Sequence, residues 1–203
     1  MNSNNNENSG RSLPYTLAFR LPLSFRNYFM TCQQKLADIC QSFEPPELAH
    51  LTVKFMGHAS GYLDDGKIIE LLPQIHRIAA KYLPIKIYLR GFDFFKYDHN
   101  RITVIFLKVS HNDRLYALHH ELCESFAEFD TFQHADKENY LPHITLSKDL
   151  KPNNERQIIR LVSRSRKMAK RHLKIDDLVV MGPSRLFPVT DDLTGPIICP
   201  PVK

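Results

Sequence analysis

The chain has no uninterrupted apolar run approaching the ~18 residues that a membrane-spanning helix requires. Its opening stretch of Asn, Ser, Glu and Gly lacks the apolar centre of a secretory signal. Both absences make the cytoplasm the expected location. Cysteine is scarce and unpatterned: Cys32, Cys40, Cys123 and Cys199 show no Cys-x-x-Cys spacing. They read as free thiols in a reducing compartment.

Two near-motifs fail for want of a single residue. Gly61-Tyr-Leu-Asp-Asp-Gly66-Lys67-Ile68 approaches a phosphate-binding loop, but Ile68 stands where Ser or Thr would hold Mg²⁺. Asp64 and Asp65 would also place negative charge against a polyphosphate. The stretch reads as a connecting loop. His120-Glu-Leu-Cys-Glu124 has Glu124 where a zinc-protease helix needs its second histidine, so the ligand set does not close. His119, His120 and Glu121 are therefore expected on a solvated helix face.

What the chain does contain is an ordinary globular composition, 43% apolar and 24% charged over 203 residues. A chain of this length buries about 70% of its unfolded surface. The formal charge of +5 favours an anionic partner only weakly.

One short pattern occurs twice. His50-Leu51-Thr52-Val53-Lys54-Phe55 returns 93 residues later (143 − 50) as His143-Ile144-Thr145-Leu146-Ser147-Lys148. In a strand alternate side chains share a face, so each copy presents an imidazole and a hydroxyl together while Leu51, Val53, Ile144 and Leu146 face a core. By the same alternation Lys54 joins His50 and Thr52. Lys148 has the opposite parity from His143 and joins it only if the strand ends or bulges there.

The surrounding periodicities give the two copies similar settings. Residues 1–13 have nothing to bury and read as a disordered lead-in to a single domain over 14–203. A strand over 15–21 is followed by a helix capped by Ser24, with apolar residues from Phe25 to Phe43, stopped by Pro45 and Pro46. The His50 strand runs to about Gly57. A helix from Ile68 to Tyr82 follows, with Pro73 in its first turn or at a kink, and then a strand over 85–95. The second unit has a strand over 102–109, an Asp113-capped helix to Phe129, the His143 strand, a helix over 154–173 and strands near 178–181 and 185–189. The repeated order predicts an α+β fold of two pseudo-symmetric lobes of antiparallel sheet, helices outside, with the marked strands facing one another across a central cleft.

Two imidazoles flanking one ester can remove a proton from one oxygen and deliver one to another. Histidine's ordinary pKa of ~6.5 suits both tasks near neutrality. The threonine hydroxyls would hydrogen-bond the nonbridging oxygens of an anion between them. The arrangement fits a phosphodiester and requires no metal.

The segments His50-Leu-Thr-Val-Lys-Phe-Met-Gly57 and Pro142-His-Ile-Thr-Leu-Ser-Lys148 resemble the two signature motifs of the 2H phosphoesterase superfamily. Within it they are most similar to the 2′-5′ RNA ligase / RNA 2′,3′-cyclic phosphodiesterase family. The resemblance extends loosely over residues 15–190. It implies attack on 2′,3′-cyclic phosphate ends or 2′-5′ linkages of RNA or oligonucleotides by a monomer, without metal or nucleotide cofactor. His50 would be the acid, His143 the base, Thr52 and Thr145 the phosphate holders, and Lys54 and Lys148 further substrate contacts. Relatives often carry Arg at those two lysine positions, and Arg makes bidentate phosphate contacts that Lys does not. A rival reading of the same set is a nucleotide-binding module with little turnover; another is a phosphodiesterase acting on a non-RNA cyclic phosphate. Two further features remain open. The basic run Arg164 to His172 is either a solvated face or an RNA track. Tyr88, Phe92, Phe94, Phe95, Tyr97 and Tyr140 are candidates for stacking on a base.

Overall fold

A computed structural model describes residues 15–57, 63–97, 101–129, 140–168, 170–183 and 185–189. The proposed lead-in over 1–13, Cys199 and part of the loop before Asp64 lie outside them. In chain order the first elements are β1 (Tyr15–Arg20), α1 (Arg26–Gln34), β2 (Cys40–Ser42), β3 (His50–Met56), α2 (Asp65–Ala80) and β4 (Ile85–Tyr97). Then come β5 (Arg101–Val109), α3 (Asp113–Ser125), β6 (His143–Ser147), β7 (Asp149–Leu150), α4 (Glu155–Ser165), β8 (Arg171–Ile175), β9 (Leu178–Met181) and β10 (Leu186–Pro188).

Eight strands form one sheet in the order β10-β9-β1-β3-β6-β5-β4-β8, and every neighbouring pair is antiparallel. The two histidine strands are its middle pair, with three strands beyond each. This is the α+β architecture with related halves that the repeated element order predicts. The halves are not contiguous in sequence, however. β4, expected to close the first unit, pairs with β5 and β8, while β9 and β10 return to β1. The His143 half thus takes β4 from the first unit and the His50 half takes β9 and β10 from the end of the second, so cutting the chain between the units would sever both.

One face of the sheet is apolar. Leu17, Phe19, Leu51, Ile144 and Leu107 are fully buried in the same cluster as Phe29, Ile68, Ile75, Leu115 and Leu122 of the helices. Burial of large aliphatic side chains, worth roughly 1.5–3 kcal/mol each, holds the helices on that face.

Several local expectations are corrected. The first helix is entered through a 3-10 turn over Leu23–Phe25, and neither element has a side-chain cap. It ends at Gln34, because Cys40 and Ser42 pair with β7 instead. Leu36 and Ile39 keep their buried positions from a turn, so spacing alone overstated the helix. The cap of α3 is Asn112, whose side chain accepts from the Leu115 amide at 2.9 Å, and Asp113 is the first helical residue. Pro73 lies well inside α2. The carbonyl it leaves without an amide donor belongs to Ile69, a solvent-exposed residue. The helix expected over 154–173 is α4 followed by strand β8, so the basic run is split between two elements.

Candidate active site

The pairing of β3 with β6 is fixed by Leu51 opposite Ile144. Counting one residue outward in an antiparallel ladder puts His50 opposite Thr145 and Thr52 opposite His143. Directly opposed side chains have Cβ atoms about 4.5–5.5 Å apart. The four residues therefore make a compact square on the face away from the apolar core, each imidazole diagonal to the other. Burial follows the same sequence in both strands, half-buried His and Thr alternating with buried Leu51, Val53 or Ile144, Leu146.

Both imidazoles are held by the same device. His50 Nδ1 lies 2.7 Å from the carbonyl of Leu48, and His143 Nδ1 lies 2.8 Å from the carbonyl of Leu141, each two residues upstream. A carbonyl can only accept, so Nδ1 carries the proton and Nε2 is left to exchange one.

Each strand also bulges immediately after its threonine. In β3 the register passes from Thr52 opposite Ala18 to Lys54 opposite Leu17, leaving Val53 as the extra residue. In β6 it passes from Thr145 opposite Phe106 to Ser147 opposite Ile105, leaving Leu146 extra. A bulge reverses the parity of the residues beyond it. Lys54 is thereby turned away from His50 and Thr52 to the side of Leu17, at 0% exposure. The shared face expected from simple alternation is incorrect, and with it the substrate contact expected of Lys54. The residue is not without an interaction partner there. The same reversal brings Lys148, just past the end of β6, round to the histidine side. Its ammonium is 3.9 Å from Glu44, and its charge reaches His143.

The two histidines have different surroundings. His143 is wedged against Phe95, edge-on at 4.9 Å between centroids, and Phe106, also at 4.9 Å. Burial pushes its pKa below the usual 6.5, the Leu141 carbonyl opposes the shift, and the charges of His50 and Lys148 add to it. The field of His50 is thus felt at His143. Across the ladder on the other side, His50 faces Arg20 and His143 faces Lys108. Arg20 Nε binds Asp177 at 2.8 Å, and Lys108 Nζ binds Asp93 at 3.1 Å. Each imidazole is therefore flanked by a cation tied to one aspartate. Neither cation stands out in sequence; the signal was strand parity in Arg20 and Lys108, usable only once the pairing partners are known.

Of the aromatic candidates whose side chains are described, Phe95 is the one packed on a motif histidine. Phe92 is buried in the core, Tyr88 pairs with His172, and Tyr140 stacks on His119. His119 is 3% exposed and not on a solvated face as expected; Glu121 binds Lys81 and Tyr82. The helix α4 packs by Ser165 against the Phe92 amide. Phe92 is opposite Leu107, and Leu107 is opposite Ile144, on the apolar face. The basic residues of α4 therefore lie behind the sheet, away from the histidines. Among the described residues no three His, Cys, Asp or Glu side chains are grouped to share a metal ion, and no helix is long and apolar enough to cross a membrane.

Comparison with known proteins agrees with this geometry. A "Putative phosphoesterase" of Geobacillus thermodenitrificans is 33% identical over 123 residues, 60% of this chain and 62% of that one. A second, from another Geobacillus strain, is 35% identical over 129 residues, 63% and 64% of the two chains. The matched segments thus span less than two thirds of those relatives. Among solved structures, TT0787 of Thermus thermophilus superposes with a TM-score of 0.55 at 20% identity, covering 83% of this chain and 87% of the other. Escherichia coli LigT complexed with 3′-AMP gives 0.55 at 17% identity, covering 87% and 95%, a likeness of fold. The sequence model of the 2′-5′ RNA ligase superfamily matches residues 27–185, and the chain belongs to that superfamily.

Proposed function

We propose that the protein is a metal-independent phosphodiesterase that opens RNA 2′,3′-cyclic phosphate ends to 2′-phosphates, and that with a 5′-hydroxyl in place of water as the nucleophile the same site joins such an end through a 2′-5′ linkage. The observation that carries this reading is the square of two Nδ1-anchored imidazoles and two threonines on adjacent antiparallel strands.

His143 Nε2 removes a proton from water as the water oxygen bonds to phosphorus. The bond from phosphorus to the 3′ oxygen breaks, and His50, starting protonated, gives its proton to that oxygen. The product is a 2′-phosphate beside a free 3′-hydroxyl, with a proton moved from His50 to His143. Solvent exchange restores both. The depressed pKa of His143 keeps it neutral, as a base must be, through the physiological range. Thr52 and Thr145 donate hydrogen bonds to the nonbridging oxygens, where charge accumulates. Arg20, Lys108 and Lys148 surround the site with positive charge suited to an RNA end.

The test is hydrolysis of nucleoside 2′,3′-cyclic phosphates in excess EDTA, with product position read by phosphorus NMR. Wild type should yield the 2′-phosphate, and His50→Ala and His143→Ala should each fall by about 10²- to 10⁴-fold. Undiminished turnover in either variant removes that histidine from the mechanism. Tight binding of a 2′-phosphorylated nucleotide with no turnover of any cyclic or 2′-5′ substrate makes the protein a binding module instead. Turnover confined to non-RNA cyclic phosphates reassigns the substrate and keeps the residues.

A further inference from the structure

The two bulges create a need that the histidines and threonines do not meet. A bulge takes one backbone carbonyl out of the regular ladder, and a buried carbonyl without a donor costs roughly 1–3 kcal/mol. Both extra residues, Val53 and Leu146, are buried. A polar side chain from a helix meets each of them.

His119 of α3, 3% exposed, donates from Nδ1 to the Val53 carbonyl at 2.7 Å. Its ring is stacked on Tyr140, at 3.9 Å between centroids and 10° between planes. The Tyr140 hydroxyl in turn donates to the carbonyl of Thr52 at 2.9 Å. In the other half Gln33 of α1, 7% exposed, donates from Nε2 to the carbonyls of Glu44 at 2.7 Å and Leu146 at 3.4 Å. The Glu44 amide adds a second donor to Leu146, at 2.9 Å.

The arrangement is crossed. α1 lies between β1 and β3 in the chain yet reaches β6, and α3 lies between β5 and β6 yet reaches β3. Each helix therefore supports the motif strand that it does not precede. Different residue types, an imidazole and a carboxamide, meet the same need at equivalent places. Each contact falls on the residue joined by a peptide bond to the motif threonine proposed to hold phosphate.

We propose that His119 and Gln33 are positioning residues, each fixing the backbone beneath one phosphate-holding threonine, His119 for Thr52 and Gln33 for Thr145. The proposal rests on the phosphodiesterase reading for its kinetic consequence but not for its structural one. A displacement of about 0.5 Å at a group that stabilises a transition state is enough to lower the rate.

The test uses matched substitutions. His119→Met and Gln33→Met lose the donor, while His119→Asn keeps one, its Nδ2 standing the same two bonds from Cβ as the imidazole Nδ1. With all proteins folded by circular dichroism at the assay temperature, each Met variant should lose about tenfold in kcat, with KM within about twofold of wild type. His119→Asn should recover most of the loss. Should a Met variant not fold, His119→Leu, which has no donor, and Gln33→Asn, whose amide falls short of the carbonyl, report the same loss. A lowered melting temperature with wild-type kcat makes the contacts merely structural and overturns the proposal. So does an equal fall in His119→Asn and His119→Met. Crystal structures of the variants give a readout that needs no turnover. His119→Met should displace Thr52 and leave Thr145 in place relative to the Leu51–Ile144 pair, and Gln33→Met should do the reverse. Threonines unmoved in both variants defeat the proposal even if the enzyme is active. Absent wild-type turnover defeats only the reading of the reaction.

Discussion

On one side of the sheet's midline His50 has an arginine across the ladder and a carbonyl behind it; on the other, His143 has a lysine, the same carbonyl anchor and two phenylalanine rings. Backbone geometry is repeated closely between the halves, down to the bulge after each threonine. The aromatic packing is not. Duplication supplies two equivalent imidazoles, and a reaction that needs one acid and one base must then tell them apart. The phenyl rings on His143 do this by excluding water, which disfavours its charged form.

The largest effects should come from separating the two roles directly. A phosphodiester whose leaving oxygen is a weak base needs little protonation on departure. With such a substrate, His143→Ala should still lose about 10²- to 10⁴-fold, while His50→Ala should lose far less than it does on a nucleoside cyclic phosphate. Equal losses on both substrates for both variants would show that the halves are not specialised.

The cause of the difference can be tested next. A base acts only when neutral, so turnover falls as pH drops through the His143 pKa, which lies below 6.5. The acid limb of the rate profile should accordingly sit below that value, with a basic limb where the acid loses its proton. Phe95→Ala lets water reach the ring and should move the acid limb upward toward 6.5. No movement would mean that another group sets that limb. The equivalent change has no counterpart beside His50, where no aromatic ring contact is found among the described residues.

The flanking cations offer a smaller comparison. Arg20→Gln and Lys108→Gln each remove one half-exposed charge facing a histidine. A loss of about 1 kcal/mol, roughly fivefold in KM with little change in kcat, is expected for each at low salt. The freed aspartate contributes to both. A larger effect for Arg20 would indicate that the bound substrate lies mainly on the His50 side.

The paired motifs, the element order and the antiparallel halves were legible because they depend on local pattern: period-two burial, helix spacing and a repeat. Exchange of β4 against β9 and β10 was not legible, since nothing in a strand's own composition names its neighbour. The fate of Lys54 was hidden for a related reason. Alternation predicts a shared face only while the ladder is regular, and the bulge at Val53 appears only when Thr52 and Lys54 are matched to Ala18 and Leu17. His119 was misplaced because a failed zinc motif drew it to the solvated side. Its neighbours Leu115, Leu118 and Leu122 mark the buried stripe that it shares.

Lys148 gives the smallest expected effect and the finest distinction between the halves. The bulge in β6 turns it toward His143, and its charge is one of the lesser causes of that residue's lowered pKa, after burial. Lys148→Met removes a cation, so the proton on His143 becomes less unfavourable and the pKa rises. The acid limb should move up by less than in Phe95→Ala. Because the ammonium is mostly exposed, the shift should shrink as ionic strength rises and the Debye length falls to about 3 Å at 1 M salt. The Phe95→Ala shift arises from lost burial and should persist there. Lys54→Met, in the other motif strand but turned into the core, should leave the acid limb where it is at every salt concentration.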